Sequence, residues 1–449
     1  MKEYLPIELP RSGYEMMHFD PERERDIRRI AEEAKADGRW EQAEAIPIDL
    51  QDNVFWAYWL GKTCSPVRKP LKGCEELCGE LGQYRKTSFS LDPSHGGKEI
   101  IISAVGDLMC TKGLENSADI LYGNVEELIF GADISCANLE STFAAGEIAP
   151  IELSSGEGPK INLSPAQYNT LTGHKGKRYD LVQLANNHIV DSGEAGAVRT
   201  LEQLQKDGIA QAGLNMSAED ADKTTITEKC GLRIGWVSHT FFVNFRPLPE
   251  GKPWFVNITP FYIEDEPDLS GIKRQIDFCK RAHCDLVIVS LHWGLEFELY
   301  PHPQQRQWAQ AIADAGADII LGHHPHVIQF SELLHPADRP AKTVPVIYSL
   351  GNLTPIFSSP GTVLSLIARF YTERFNGETS VTRMELYPVA LVRTQDALMT
   401  RLELVELGEL SGCGNAPAQY VSEMADIADT VIGRGWRDRE KKSEGGDTT

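Results

Sequence analysis

Positive charge is the first thing this sequence is short of. Across 449 residues, 44 lysines and arginines stand against 65 aspartates and glutamates, a formal net charge of −21. A sequence-independent nucleic-acid binder needs a basic face, and docking on anionic lipid needs basic clusters, so neither class is expected. Long apolar runs are also missing: none approaches the ~20 residues of a membrane span. The opening MKEYLPIELPRSGYEMMHF lacks the unbroken apolar segment of a signal peptide, and the expectation is a cytoplasmic protein. Cysteines number nine, an odd and scattered set that fits reduced thiols better than a disulfide framework. Cys64, Cys74 and Cys78 fall close together, but their spacing matches no standard ligand pattern. There is no G-x-S-x-G nucleophile elbow, no Walker A sequence, no G-x-G-x-x-G after the first strand and no internal repeat. Nothing in the sequence fixes an oligomeric state.

What is present divides into three stretches. Residues 1–97 read as an N-terminal, partly helical extension of unknown role. Within it, residues 20–39 form a highly charged, solvated helix. Residues 53–60 (NVFWAYWL) are aromatic-rich and expected to bury themselves, and 94–98 (SHGGK) reads as a linker. Residues 98–410 carry the main domain, and 411–449 a closing helix at 417–432 and a tail expected to be disordered at its end. In the main domain, apolar runs at 100–105, 133–139, 179–185, 232–239, 285–291, 317–321 and 344–349 read as strands. Helical patterns lie between them at 118–129, 194–206, 269–282 and 304–315. That alternation implies a buried sheet flanked by helices. After residue 361, strand-like runs at 362–372, 381–394 and 400–407 suggest a second, more antiparallel sheet. Two sheets face to face with helices outside make a four-layer α/β/β/α sandwich.

The polar residues sit where the apolar runs stop. The first strand ends in Gly106-Asp107, the second in Asn138-Leu139-Glu140. The third ends in Asn186-Asn187-His188, with Asp191 three residues on. Later runs end in His292-Trp293-Gly294, in Gly322-His323-His324-Pro325-His326 and in Ser349-Leu350-Gly351-Asn352. Ligands of open α/β sheets bind at the carboxyl ends of strands, so these ends converge oxygen and imidazole donors on one point. No cysteine belongs to the set, which suits Mn, Fe, Zn or Mg rather than Cu(I) or an iron–sulfur cluster. Each piece has a plainer reading: Asp107 as a turn or cap residue, Glu140 as a surface acid, Asn186–His188 as a polar loop, His292 as a core histidine, and the later histidines as a solvated turn. The conjunction favours the metal site, because the plain readings leave the repetition unexplained.

The motifs AVGDLM, CANLEST, LANNHIVDSGEAG, LHWGLEFE, AGADIILGHHPHVIQ and IYSLGNL occur in the order expected of the CapA family. That family is named for poly-γ-glutamate capsule synthesis and is related to calcineurin-like metallophosphoesterases. The resemblance covers about residues 99–395. It implies the metallophosphoesterase-like four-layer sandwich and one or two divalent ions. It further implies Asp107 as a ligand of the first metal, Glu140 in the bridging place, Asn187 on the second metal, and His292, His324 and His326 completing the coordination. His188 would lie beside the leaving group, oriented by Asp191, and His323 would be a neighbour rather than a ligand. Two departures stand out: Met109 replaces the pattern's histidine two residues after the first aspartate, and Glu140 is a methylene longer than the usual aspartate.

The resulting expectation is a metal-dependent hydrolase acting on a phosphoester of an anionic small molecule or polymer. The alternative is an accessory or binding protein for poly-γ-glutamate or a related anionic chain, which the loss of a ligand at Met109 would suit. A third reading is amide-bond chemistry on γ-glutamyl linkages. Glu296, Ser349 and Asn352 are candidate substrate contacts, Phe241–Phe245 a candidate pocket wall, Arg246 a candidate anion contact and His302 a helix cap.

Overall fold

The computed structural model describes residues 4–144, 151–154, 157–262, 266–394, 399–412 and 417–438. Its organising element is β1 (Lys98–Leu108), buried without interruption from Ile102 to its end. Beside it lie β2 (Ile134–Leu139), β3 (Leu181–Gln183) and β4 (Ala210–Ala212), all parallel. The register places Asp107 opposite Asn138.

The chain then crosses to a second sheet: β5 (Thr225–Lys229), β6 (Leu232–Thr240), β7 (Leu286–His292), β8 (Ile319–His323), β9 (Ser331–Leu334) and β10 (Val344–Ile347). The spatial order is β5-β6-β7-β8-β10-β9, parallel inside and antiparallel at both edges. It returns to the first sheet with β11 (Asn352–Thr354), β12 (Leu364–Phe375), β13 (Glu378–Thr394) and β14 (Arg401–Glu406). The second half of this path corrects the expectation from sequence. The strands after residue 361 do not found a second sheet; they extend the first. β12 pairs antiparallel with the edge of β1 that β2 leaves open, Ile367 opposite Val105, and β11 continues beside Asp107. Periodicity identifies a strand but not the edge it will find.

Alternation along the second sheet divides its side chains between two cores, as period-two geometry requires. Val237, Val287, Val289 and Ile320 pack on α4 (Ser270–Arg281) and α5 (Pro303–Ala315) through Ile272, Ile276, Trp308 and Ile312. Ile234, Trp236, Ile288 and Ile319 turn inward and join the core of the first sheet. α3 (Gly193–Lys206) and α6 (Ala418–Ile432) cover that first sheet with Ala197, Leu204, Met424 and Ile427. The result is the α/β/β/α sandwich. Among the described residues no helix is long and apolar enough to cross a membrane.

The first hundred residues are woven into this body. α1 (Pro21–Asp37) starts at Asp20, whose carboxylate accepts from the Glu22 and Arg23 amides, and it keeps a charged outer face. α2 (Asn53–Cys64) buries Trp56, Tyr58, Trp59 and Lys62. Tyr4–Leu5 and Ser88–Ser90 both pair with β13. The stretch expected to be a linker is tied down, because Glu373 on β12 accepts from the Ser94 hydroxyl and the His95 and Gly97 amides. The helix expected over 118–129 shrinks to Glu126–Ile129, whose N-cap, Val125, offers no capping side chain. The tail beyond residue 438 lies outside the described residues.

Candidate metal centre

Two close backbone approaches set the site. A Cβ on Gly106 would lie 1.9 Å from the Gly351 carbonyl, and one on Gly322 would lie 1.9 Å from the Tyr348 carbonyl. Only glycine lets neighbouring strands come that near, and each glycine directly precedes a polar residue of the site. Beyond β8 the chain turns sharply: His324 (φ 94°) and His326 (φ 57°) both occupy left-handed backbone, with Pro325 between them. Such positions cost about 1–3 kcal/mol each outside glycine and persist where the surroundings enforce them.

The expected residues converge. Asp107 is fully buried; its Oδ1 accepts from His323 Nδ1 at 2.8 Å and from Asn138 Nδ2 at 2.8 Å, and its Oδ2 from the His324 amide at 3.2 Å. Glu140 Oε1 faces His292 Nε2 at 3.5 Å, His326 Nε2 at 3.8 Å and His188 Nε2 at 4.0 Å. His292 Nε2 also lies 2.8 Å from Asn187 Oδ1. His326 Nδ1 donates to Asn352 Oδ1 at 2.9 Å, since the Asn352 amide nitrogen is already given to the His326 and Thr362 carbonyls. That leaves the His326 Nε2 lone pair toward the cleft.

The electrostatics follow from two buried carboxyls side by side. Burial pushes Asp107 up, but hydrogen bonds from His323 and His326 outweigh it and hold the carboxyl well below its usual range. Burial, then repulsion from Asp107, pushes Glu140 well above its own. Burial likewise drives His292 and His324 well below the ordinary imidazole value. For His326, burial is outweighed by its contacts with Asp107 and Glu296, and the value rises.

The donor set fits a divalent ion. Glu140 Oε1 and His324 Nδ1 are buried polar atoms with no hydrogen-bond partner among the described residues, where such atoms are ordinarily satisfied. Glu140, His292 and His324 form one group, and Asp107, Glu140 and His326 another; in each, the potential ligand atoms lie within 4.8 Å of one another. Glu140 is common to both, and imidazole with carboxylate is the donor chemistry of Zn, Mn or Fe. Among the described residues, Cys64, Cys74 and Cys78 belong to no such group.

Beside this centre His188 Nδ1 donates to Asp191 Oδ2 at 2.6 Å. Asp191 is locked in turn by the Ile161 amide at 2.7 Å and by Arg246 Nε at 2.9 Å. Arg246, a candidate anion contact from sequence, is therefore engaged with Asp191.

The candidate substrate contacts separate. Glu296 lines the cleft: its Oε2 accepts from Trp59 Nε1 at 2.6 Å and its Oε1 lies 3.8 Å from His326 Nε2. Ser349 and Asn352 are fully buried and do not line it. The turn into β11 points the Ser349 hydroxyl at the Gly351 amide, and it aims Asn352 at His326, which it positions. His302 caps α5 as expected.

Sequence reasoning placed Asn138 at a strand end but gave no role to it, although it bridges Asp107 and His292, nor to the N-terminal helix. The signal for Asn138 was available in its place two residues before Glu140. The helix gave none, because its partners lie more than 230 residues away: Tyr58 and Lys62 meet Glu298, and Trp59 meets Glu296.

Known proteins resemble this chain over its central part. A family model described as bacterial capsule synthesis protein PGA_cap matches residues 101–357, more than half of the chain. The capsule biosynthesis protein CapA of Bacillus anthracis is 27% identical over 261 residues, 57% of this chain and 59% of that protein. The PGA biosynthesis protein CapA of Bacillus subtilis (strain 168) is 30% identical over 256 residues, 56% of this chain and 62% of that protein. The chain thus spans about three fifths of these curated relatives. Among solved structures, the calcineurin-like phosphoesterase YfkN from Bacillus subtilis aligns at a TM-score of 0.36 with 13% identity, over 66% of this chain and 91% of that one.

Proposed function

The chain belongs to the bacterial capsule synthesis protein PGA_cap family, and from that premise we propose that it is a metal-dependent hydrolase of phosphoester bonds. The observation that carries this reading is Glu140 Oε1: a buried carboxyl oxygen without a hydrogen-bond partner among the described residues, ringed by three imidazole nitrogens. Asp107, Glu140, His292, His324 and His326 would hold the metal, with Asn187 beside His292. A divalent ion there supplies Lewis acidity toward a phosphoryl oxygen and lowers the pKa of water from ~15.7 toward ~7.

The rest falls to the chain's own side chains. The Asp191 carboxylate accepts from His188 Nδ1–H and turns Nε2 to the cleft, so that in the imidazolium form the Nε2–H is placed to pass its proton to the leaving oxygen, leaving the neutral ring behind. Asn186 holds the backbone of that turn by accepting from the His188 amide. Asn352 keeps the His326 ring in register. Met109, where a further ligand would be expected, is fully buried and its amide is given to Thr354, which favours an asymmetric pair of metal positions.

A second reading is an accessory protein that binds poly-γ-glutamate. It draws on Met109 and on the names of the relatives, which describe capsule and PGA biosynthesis. One experiment separates the two. Elemental mass spectrometry is run on the purified chain and on His324→Ala, with turnover of bis-p-nitrophenyl phosphate in added Mn. The hydrolase reading expects metal lost in His324→Ala. It also expects His188→Ala to retain metal while losing ~10²–10⁴-fold in turnover. No metal after reconstitution and no turnover, with polyglutamate binding that weakens as salt rises, would establish the binder instead.

A further inference from the structure

The cleft over the candidate metal centre has two walls. One comes from the main domain; the other is α2 and the stretch before it, outside the residues that match the family model. Its chemistry is unlike that of a site for a carboxylate polymer. Lys62 is the one lysine or arginine among the described residues lining it, and its ammonium lies 2.7 Å from Glu298 Oε1 with both side chains almost wholly buried. Glu44, Glu296 and Glu298 also face the space. Away from the metal centre, a row of substrate carboxylates would meet like charge from these side chains, and the one described lysine is already paired with Glu298.

What the walls offer is aromatic surface. Trp56 and Trp59 meet edge to face at 5.6 Å, and Trp59 meets Phe357 in the same way at 6.2 Å. On the other wall Phe242 meets Phe245 edge to face at 5.5 Å and stands 6.1 Å from the His324 ring. Phe245 closes the series at the mouth. It is 54% exposed, on left-handed backbone at φ 55°, a conformation a bulky residue rarely adopts. An apolar ring left in water on a strained backbone, continuous with a ring cluster that reaches the site, is placed for something other than packing.

We propose that α2 and the Phe242–Phe245 turn form an aromatic specificity pocket, and that the substrate carries an uncharged aryl group rather than a chain of carboxylates. This rests on the phosphoester reading for the reacting end of the molecule; the pocket itself rests on the walls. Trp59 would select through its ring and be held in place by Glu296, which accepts from its indole N–H.

The test uses the full chain reconstituted with Mn and three ligands sharing one head group: benzylphosphonate, methylphosphonate and 3-phosphonopropionate. Binding is read by titration calorimetry. The neutral fluorescent ring compound N-phenyl-1-naphthylamine serves as a probe with no head group. Benzylphosphonate is expected to bind roughly 10- to 100-fold tighter than methylphosphonate, with the carboxylate-tailed ligand no tighter than methyl. The benzyl-to-methyl ratio should collapse in both Trp59→Ala and Phe242→Ala, two variants on opposite walls, so that misfolding of one does not decide the matter. A ratio near one in the wild type, or a carboxylate-tailed ligand as tight as the benzyl one, overturns the proposal. If the naphthylamine binds and is lost in both variants while no phosphonate binds, the pocket stands and the phosphoester reading falls. If methylphosphonate binds and the naphthylamine does not, the pocket falls and the phosphoester reading stands.

Discussion

Replacing Glu140 with glutamine should move two properties in opposite directions. The side chain keeps its length and nearly its volume and loses its charge. The oxygens of Asp107 and Glu140 that belong to one ligand group lie within 4.8 Å of each other. Two full negative charges at that distance repel by about 3.5 kcal/mol at an effective dielectric of about 20. Without metal the fold relieves this by keeping a proton on Glu140, whose carboxyl burial and Asp107 together push well up. A carboxyl raised in the folded state contributes stability that is complete below its unfolded value of about 4.3 and is lost as pH rises through the folded one. Glutamine has no such loss. In chelator at pH 8, Glu140→Gln is therefore expected to be more stable than the wild type by about 1–3 kcal/mol. With metal the sign reverses, because the variant lacks the one carboxylate shared by both ligand groups. Its affinity should fall by at least about 100-fold, beyond what removal of an outer-shell partner costs. Urea denaturation in EDTA and in saturating Mn, with calorimetric metal titration, reads both effects. A variant less stable than wild type in EDTA, or one that takes up metal equally well, would refute the charge argument.

Two further expectations follow from the same geometry. Asp191→Asn offers an N–H where His188 and Arg246 both need an acceptor; turnover should drop ~10²–10⁴-fold with metal content unchanged, and stability should fall by up to about 3 kcal/mol because the Arg246 guanidinium loses the charge of Asp191 while keeping its bond to the Gly158 carbonyl. Activity within threefold of wild type would remove the orienting role. His239, buried between Thr259 and Gln275, is pushed down by burial to about 4. Its folded value lies below its unfolded one, so the unfolded chain takes up the proton first and stability is lost as pH falls below about 6.5, by about 2 kcal/mol at pH 5. Thermal or urea unfolding from pH 8 to 5 should show this slope flattened in His239→Gln; an unchanged slope would place the acid sensitivity elsewhere.

Much of the site was legible in the sequence because β-strands of a buried sheet announce themselves as apolar runs, and the residues that end them are then exposed to view. Asp107, Glu140, Asn187, His292, His324 and His326 all stood at such ends, and all six are drawn together. Ser349 and Asn352 stood at one too, yet the turn into β11 directs them at Gly351 and His326 instead of the cleft. Strand ends locate a residue; the backbone angles that follow decide where its side chain points.

The sequence by itself determined the local units: an acidic chain, alternating strands and helices, glycines before Asp107 and His323, and donors of one chemical kind repeated at successive strand ends. These depend on periodicity and residue type, which act over a few positions. Only the tertiary structure decided which edge β12 takes, that Asn138 bridges Asp107 and His292, and that an N-terminal helix becomes the far wall of the cleft. Trp59 and Glu296 are 237 residues apart, and no local propensity couples them. Their contact exists because two sheets close on a shared core and leave a gap that the aromatic face of α2 fills.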